Sequence, residues 1–398
     1  MANQKRYRVA IAGCGGMGRA HVRELAGLDD IEVVALCDVI PASLDRLGDE
    51  AGLDASHRYL DAAEMLDREK PDILVVTTQA PQHAELTLAA AQRGIHVHCE
   101  KPLASDLAEG DAMVAACDKA GVRFSVNHSR RTAPAPTYAR DLIGAGEIGD
   151  VLAVNIHEKG GRPLGNMIME MGTHYFDLAR FVLSHTVLPD GRKGDQAEWV
   201  MAHLVTGSGA ESHASTPDEI VNSRVAVPTD RDCGSVLGQR GTVLIGFAGE
   251  VPGVMNFFNL PKSDSQYDGV DVIGTKGSIA VRGARDNVIY RRQGHTFAPH
   301  DPWVVVPVPD DPAYAIDYSE ARGMLLCRGM VRKLIEAIEE ERAPISSGYD
   351  GLAALELIMA AYESHRQGRP VSLPLSVRHH PLDLWKEQGK EQTKEQVA

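Results

Sequence analysis

The sequence predicts an α/β protein in which an N-terminal, doubly wound parallel sheet is followed by a C-terminal α/β domain with a large, mostly antiparallel open sheet. Over residues 6–126, short runs rich in Val and Ile alternate with helical patterns, which is typical of a parallel sheet covered on both faces. After residue 127, runs of strand type follow one another with few helices between them, which favours antiparallel pairing. These patterns predict one domain over residues 1–130, a second over 131–375 and a polar tail over 376–398.

Each predicted strand of the first domain is short and apolar, as strands buried on both faces are. Pro41 and Pro81 stand at helix starts, where the missing N–H costs little. The predicted strands are 6–12, 31–37, 71–77, 95–99 and 122–126. The predicted helices are 16–28, 41–51, 61–68, 81–92 and 105–120.

The second domain is predicted to form one open sheet with helices on one face. Its other face must be covered, because a large exposed apolar patch is unusual on a monomer, and self-association is the simplest cover. The predicted strands are 151–158, 197–206, 221–227, 242–248, 253–258, 269–274, 277–282, 286–292 and 303–308. The predicted helices are 135–143, 171–184, 319–341 and 350–367.

Composition excludes several functional classes. The chain has 398 residues and a net charge of −14, which argues against nucleic acid as a general partner because phosphate binding needs a basic face. Six scattered cysteines without a C-x-x-C pattern indicate buried thiols in a reducing compartment, so neither a disulfide framework nor a metal site is expected. No apolar run is long enough to span a membrane, and the N-terminal run is too short for a signal peptide, so we expect a cytoplasmic protein.

The first strand ends directly in the pattern G-x-G-x-x-G, and a helix follows. In this context Gly13 permits the tight turn, Gly15 lets the backbone approach a pyrophosphate, and Gly18 lets helix and strand pack closely. Gly16 and Met17 complete the loop, whose helix N-terminus would face the phosphates. The alternative is a glycine-rich turn without a ligand.

The second strand ends in Asp38, twenty residues beyond Gly18. A dinucleotide site places there the acid that holds the ribose hydroxyls. The negative charge repels a 2′-phosphate and no arginine follows immediately, so the sequence favours NAD over NADP.

The predicted strand 95–99 is followed by Glu100, Lys101 and Pro102. Ligands bind at the carboxyl ends of the strands in such sheets, so Lys101 is a candidate for holding a substrate hydroxyl beside the cofactor. The alternative is a surface lysine before a proline.

A second candidate group surrounds His174. Glu170 precedes it by four residues, so a helical turn brings the two side chains together, and Asp177 is placed to fix the other ring nitrogen. An imidazole titrates near neutrality and is suited to remove a hydroxyl proton. The alternative is a buried structural histidine.

A third cluster follows the strand 151–158. His157, Lys159 and Arg162 lie in a glycine-containing loop and are candidates for a substrate rim, although a solvated loop explains them equally well. His128 comes shortly after the predicted strand 122–126 and is a further candidate for the same crevice.

With these motifs in this order, the chain resembles the Gfo/Idh/MocA oxidoreductase family over about residues 1–375. Further matches are the segments 78–83, 146–149 and 274–279. The resemblance implies a Rossmann domain that binds NAD, a substrate-binding and oligomerisation domain, and a homodimer or homotetramer. It also implies a catalytic pair of Lys101 and His174. An acid is expected at position 170, usually Asp, and Glu170 is one methylene longer.

Together these arguments predict a set of site residues and no metal ligand. The predicted catalytic residues are Lys101, His174 and Glu170. The predicted cofactor-binding residues are Gly13, Gly15, Gly16, Met17, Gly18, Asp38, Thr78, Pro81, His83, Glu100 and Lys101. The predicted substrate-binding residues are Lys101, His128, His157, Lys159, Arg162, Glu170 and His174.

The resulting hypothesis is an NAD-dependent carbohydrate dehydrogenase that oxidises a secondary hydroxyl of a sugar, sugar derivative or cyclitol. One alternative within the same family is an NAD-dependent glycoside hydrolase that acts by transient C3 oxidation and elimination. Another is a non-catalytic NAD-binding sensor. The motifs leave open the sugar, the carbon that is oxidised, the direction and the choice between dimer and tetramer.

Overall fold

The computed structural model divides the chain into two units that are described separately. Of the described residues, 6–129 and 327–352 form unit 1, and the others form unit 2. The sequence prediction places a boundary beside residue 130 but assigns 327–352 to the second domain. The structure describes residues 6–158, 167–206, 237–258, 268–282, 288–294, 302–314 and 327–384.

Unit 1 contains a six-stranded parallel sheet of order β3-β2-β1-β4-β5-β6, which confirms the predicted doubly wound sheet. The strands β2 and β3 lie on one side of β1 and the strands β4 to β6 lie on the other, so the strand order reverses between β1 and β4. The strands are β1 Tyr7–Ala12, β2 Ile31–Cys37, β3 Arg58–Tyr59, β4 Ile73–Val76, β5 His96–Cys99 and β6 Phe124–Val126. The two-residue strand β3 has no counterpart among the predicted elements.

The parallel strands end in register. Ala12 pairs with Cys37 on one side and Val76 on the other, Val76 pairs with Cys99, and Cys99 pairs with Val126. We call these five residues the terminal row. The residues that follow them therefore lie along one edge of the sheet.

The helices of unit 1 follow its strands as predicted, with termini shifted by a few residues. Asp61 and Asp106 accept the backbone N–H groups of Glu64 and Glu109 and so cap two helices. The helices are α1 Gly16–Leu25, α2 Pro41–Ala51, α3 Ala62–Glu69, α4 Ala80–Ala91 and α5 Leu107–Ala120.

A helix from far along the chain completes this core. The helix that begins at Cys327 and ends at Glu339, labelled α8 below, buries Val331 and Leu334 in the same cluster as Ile11 of β1. Burying each such side chain stabilises the fold by about 1.5–3 kcal/mol, so this helix is part of unit 1 energetically as well as spatially.

Unit 2 contains a nine-stranded sheet of order β14-β13-β12-β11-β7-β10-β9-β8-β15. Among its described strands only β7 and β10 pair in parallel, which confirms the predicted mostly antiparallel sheet. The predicted strand 221–227 lies outside the described residues. The strands are β7 Val151–His157, β8 Ala197–Thr206, β9 Leu237–Phe247, β10 Val251–Phe258, β11 Gly269–Gly274, β12 Gly277–Arg282, β13 Val288–Gln293, β14 Val304–Val306 and β15 Val371–Ser372.

The helices of unit 2 cover one face of this sheet. Phe247 and Val200 are fully buried on the covered face, whereas Trp199 and Met201 are on the opposite face of β8 and remain partly exposed. No helix among the described residues is long and apolar enough to cross a membrane. The helices are α6 Pro134–Gly144, α7 Thr173–Leu183, which follows a π-helical turn at Met167–Gly172, and α9 Gly348–Gln367, whose first five residues belong to unit 1.

Candidate functional site

The loop after β1 forms a backbone cradle in unit 1. Gly13 has φ +103°, and a Cβ there would lie 2.7 Å from the backbone carbon of Thr77, so only glycine fits. A Cβ at Gly18 would lie 1.9 Å from the carbonyl oxygen of Gly13. Nothing lies within 4 Å of the Cβ positions built at Gly15 and Gly16, which leaves the start of α1 open to a ligand. Such helix N-termini bind pyrophosphate groups, so the loop fits a dinucleotide.

Asp38 follows the terminal row directly beside this loop. Its Oδ2 accepts the backbone N–H of Cys14 at 2.6 Å, and its Oδ1 accepts the backbone N–H of Ile40 at 2.8 Å. These bonds fix the carboxylate, and an ionised carboxylate has about four acceptor sites, so it can still accept ribose hydroxyls. Met17 is half-buried in the first turn of α1.

The segment after β4 contains three predicted cofactor residues in different environments. Pro81 is exposed at the start of α4, and the Oγ1 of Thr78 is buried without a hydrogen-bond partner among the described residues. His83 is buried, with Nδ1 3.0 Å from the carbonyl oxygen of Pro102 and Nε2 3.1 Å from that of Thr78. Burial lowers the pKa of His83, so at neutral pH the ring donates to one of these carbonyls at a time. His83 therefore supports the loop after β5 through its bond to the carbonyl of Pro102, and its predicted cofactor contact stays a prediction.

Lys101 lies just beyond the terminal row and follows a glutamate that points into unit 1. Glu100 is buried, and its Oε1 is 3.1 Å from Nε2 of His21 and 2.6 Å from Nδ2 of Asn127. Burial alone would raise the pKa of Glu100, but the hydrogen bonds and charges of His21, Lys101 and Asn127 lower it to about 2. The carboxylate is thus ionised and already hydrogen-bonded to donors of the protein, which argues against a direct cofactor contact.

His128 follows β6 and is also buried. Its Nδ1 is 3.4 Å from Oγ of Ser346, and the residue is 1% exposed. This position gives His128 a structural partner, and we do not assign it a contact with substrate.

The parallel register brings most of the unit 1 candidates to one edge. The residues immediately after the terminal row are Asp38, Gly13, Thr77, Glu100 and Asn127. Lys101 is one residue further, at the edge where ligands bind in sheets of this topology.

The unit 2 candidates lie around a widened helical turn. Glu170 is in the π-helical turn and His174 is the second residue of α7, and both side chains are half-buried. Turns of this kind occur frequently at functional sites. The sequence predicted an ordinary helix over 171–184 and gave no sign of the widened turn.

The structure gives Asp177, which the sequence places near His174, a partner on another element. The Asp177 carboxylate accepts hydrogen bonds from Nε and Nη2 of Arg131, at 3.0 and 2.7 Å. Both side chains are buried, and the guanidinium also lies over the ring of Phe181. A bidentate guanidinium is a stronger partner for a carboxylate than a neutral imidazole, so Asp177 anchors α7 in unit 2.

Arg130 forms a second buried ion pair next to the first. Its Nη2 donates to Oδ2 of Asp268 at 2.7 Å, and its guanidinium stacks 4.5 Å from the ring centroid of Tyr175. The Tyr175 hydroxyl donates to the same oxygen at 3.0 Å, and burial raises the pKa of this phenol. This network holds Tyr175, the residue after His174, in place at the start of α7.

The third predicted cluster is only partly described. Nε2 of His157 is 2.9 Å from Oδ2 of Asp271 on the neighbouring strand, and Arg282 binds the other oxygen of that carboxylate. The side chain of His157 remains 40% exposed. Lys159 and Arg162 lie outside the described residues.

Sequence reasoning missed His21 and the roles of the two arginines. A signal for His21 exists, because it stands on the same buried face of α1 as Gly18, Val22 and Leu25, where a lone polar residue needs a partner. The expectation for the cysteines is confirmed for the described ones, which are buried and free. They are Cys14, Cys37, Cys99, Cys117 and Cys327.

Comparison with known protein families shows which family the chain belongs to. Residues 7–128 match the family described as "Oxidoreductase family, NAD-binding Rossmann fold", and residues 217–373 match the C-terminal α/β domain of the same family. The chain belongs to the Gfo/Idh/MocA oxidoreductase family. Its first unit is an NAD-binding Rossmann domain, and the open backbone at Gly15 and Gly16 fits that cofactor.

Several members of the family are similar over nearly the whole chain. D-apiose dehydrogenase from Paraburkholderia graminis is 27% identical over 93% of this chain and 90% of its own length. Myo-inositol 2-dehydrogenase from Thermotoga maritima is 26% identical over 92% of this chain and 98% of its own length. The structure of a levoglucosan dehydrogenase in complex with NADH covers 93% of this chain and 100% of its own, with a TM-score of 0.72 at 20% identity, and shows the shared fold.

Proposed function

We propose that this chain is an NAD-dependent dehydrogenase that oxidises a secondary hydroxyl of a sugar, sugar derivative or cyclitol. Relatives named D-apiose dehydrogenase and myo-inositol 2-dehydrogenase match 93% and 92% of the chain, which supports this substrate class. The observation that carries the proposal is the place of Lys101, two residues beyond the terminal row, at the same sheet edge as the cradle at Gly13–Gly18. A cation at this edge is placed to meet a substrate oxygen beside the cofactor.

Each proposed catalytic group has a chemical task. NAD, held by Asp38 and the glycine loop, would supply the acceptor for a hydride from the carbon that carries the hydroxyl. Lys101 donates a hydrogen bond to the substrate oxygen and stabilises the negative charge that develops there. His174 removes the hydroxyl proton, since an imidazole is a base near neutral pH. Glu170 orients His174 or accepts a hydrogen bond from a neighbouring hydroxyl.

The remaining proposed contacts are with the dinucleotide and with the hydroxyls of the substrate. Asp38 and the glycine loop hold the dinucleotide, with Thr78 and Pro81 at the edge of the same site. His157 is proposed to meet substrate hydroxyls, because its side chain stays 40% exposed beside Asp271.

The test is a panel of sugars, inositols and aryl glycosides incubated with the enzyme and NAD. Growth of NADH absorbance that depends on one substrate class is the expected result, and a deuterium on the oxidised carbon should slow it. Release of the aglycone without net NADH would establish the glycoside hydrolase instead. NAD binding with neither reaction would establish a sensor.

We also propose that the open face of the unit 2 sheet is covered by a second copy of the chain. Trp199 and Met201 on β8 are 38% and 40% exposed, and Leu244 and Val254 continue this apolar face across β9 and β10. An interface of this kind should bury more than roughly 1,000 Å² per pair. Light scattering at micromolar protein should show a dimer or tetramer, and a stable 43.0 kDa particle would contradict the proposal.

A further inference from the structure

Four buried polar side chains converge behind the loop that carries Lys101. His21, Glu100 and Cys327 each direct one donor or acceptor atom to the same place, and these atoms lie within 4.8 Å of one another. The amide nitrogen of Asn127 donates to Oε1 of Glu100 at 2.6 Å and approaches Sγ of Cys327 at 3.6 Å. Because this amide already satisfies two of the three groups, a hydrogen-bonded network accounts for the cluster better than a metal site does.

The two oxygens of Glu100 have different partners. Oε1 receives His21 from α1 and Asn127 from the end of β6, whereas Oε2 accepts the backbone N–H of Lys101 at 3.3 Å. A carboxylate is rigid and planar, so the donors that hold one oxygen also set the direction of the other. The orientation of the Lys101 peptide therefore depends on side chains that never touch Lys101.

The charges around His21 fit this role. Burial alone would lower the pKa of His21, but Cys327 and Glu100 outweigh burial and raise it. The other titratable groups facing it include Glu24 on its own helix and His98 on β5, whose ring centroid is 5.5 Å away. A buried carboxylate needs hydrogen-bond partners, and Nε2 of His21, 3.1 Å from Oε1 of Glu100, supplies one of them.

We propose that His21 is a positioning residue for Lys101 and acts through the carboxylate of Glu100. This inference rests on the proposed catalytic role of Lys101. His21 stands one turn after the glycine loop on α1, so the helix that begins at the cofactor cradle also fixes the orientation of the catalytic lysine. Neither the imidazole nor the carboxylate needs to touch the substrate.

The experiment is a double-mutant cycle on kcat. His21→Leu should lower kcat roughly 10- to 100-fold, the scale on which small misplacement of a catalytic group acts. The dissociation constant for NAD, measured by titration, should change less than about threefold because the glycine loop is untouched. His21→Gln keeps a donor toward Glu100 and should restore most of the lost rate.

The second half of the cycle repeats His21→Leu in the Lys101→Ala background. If His21 acts only by positioning Lys101, the residual rate should change less than about threefold there, since the two effects are not additive. The matched control is His57→Leu, which removes an imidazole that lies 2.8 Å from Glu69 in the same unit, far along the sequence from Lys101. It should leave kcat unchanged in both backgrounds.

The outcomes separate this inference from the proposed function. Wild-type turnover in Lys101→Ala would refute the catalytic role of Lys101 itself. A slow Lys101→Ala enzyme combined with an additive cycle, or an unchanged kcat in folded His21→Leu, would refute only the positioning role. If circular dichroism shows that His21→Leu is unfolded, the near-isosteric Glu100→Gln takes its place in the same cycle, with the same expectations.

Discussion

The candidate groups of unit 1 are fixed by strand register, whereas those of unit 2 are fixed by long-range ion pairs. In unit 1, Asp38 and Glu100 each follow the last residue of a strand, and parallel pairing alone brings them to one edge. In unit 2, the helix that carries His174 is held by Arg131 and Asp177, which are 46 residues apart in sequence. Local patterns therefore predict the first arrangement well and the second poorly.

The largest expected effect tests whether both units take part in the reaction. Lys101→Ala and His174→Ala should each lower turnover by about two to four orders of magnitude, the usual contribution of a positioned acid, base or charge-stabilising group. Steady-state kinetics and NAD titration measure this, with the exposed Lys119→Ala as the unit 1 control. Near-wild-type turnover in His174→Ala would remove unit 2 from the proton transfer.

The next prediction tests whether Asp177 on α7 stabilises the fold or takes part in catalysis. Asp177→Ala leaves the buried Arg131 without its carboxylate partner and should cost about 3–5 kcal/mol in the free energy of unfolding. Urea denaturation measures it, and the exposed pair of Arg68 and Glu64 gives the control, because Glu64→Ala should cost at most about 0.5 kcal/mol. Full stability with a large loss of kcat would restore the role at His174 that the sequence suggested.

The contrast between the units also shows which elements and contacts can be predicted from local sequence patterns. The runs that became β1, β2, β4 and β5 were predicted because burial on both faces leaves continuous apolar sequence, while β3 has only Arg58–Tyr59 and no such run. The residues of α8 were predicted as helix, but nothing local says that Leu334 packs against Ile11. The bond between Asp177 and Arg131 was not predicted, because helical spacing identifies only neighbours in sequence and Arg131 lies 46 residues away.

A third prediction concerns Asp38, whose place in unit 1 is fixed by strand register. Asp38→Ala should raise the KM for NAD roughly tenfold or more, because a hydrogen bond to a charged group is lost, and should reduce discrimination against NADP. Initial rates with both cofactors measure this. Asp38→Asn keeps an acceptor for Cys14 or Ile40 and separates the loss of charge from disturbance of the loop. A wild-type enzyme that prefers NADP tenfold would contradict this interpretation of Asp38.

The smallest expected effect concerns Lys159 and Arg162, which precede α7 in the sequence and lie outside the described residues. Arg162→Ala should raise the KM for an anionic sugar substrate by roughly tenfold, the scale of a charge-assisted hydrogen bond, and leave NAD affinity unchanged. Lys159→Ala is the matched variant, with a weaker effect because an ammonium lacks the fork of a guanidinium. Unchanged kinetics in both variants would identify the segment as a solvated loop.

The terminal row also determines how this sheet can vary in length. A residue inserted directly after Ala12, Val76 or Cys99 would displace Gly13, Thr77 or Glu100 from the sheet edge, so the positions next to the row are as sensitive as the strands. A residue deleted inside one of these strands would turn every later side chain of that strand to the opposite face and displace the residue that follows the row. Loops tolerate insertions at low cost, so the permissive positions of unit 1 should lie at the opposite edge of the sheet, in the loops that lead from a helix into the next strand.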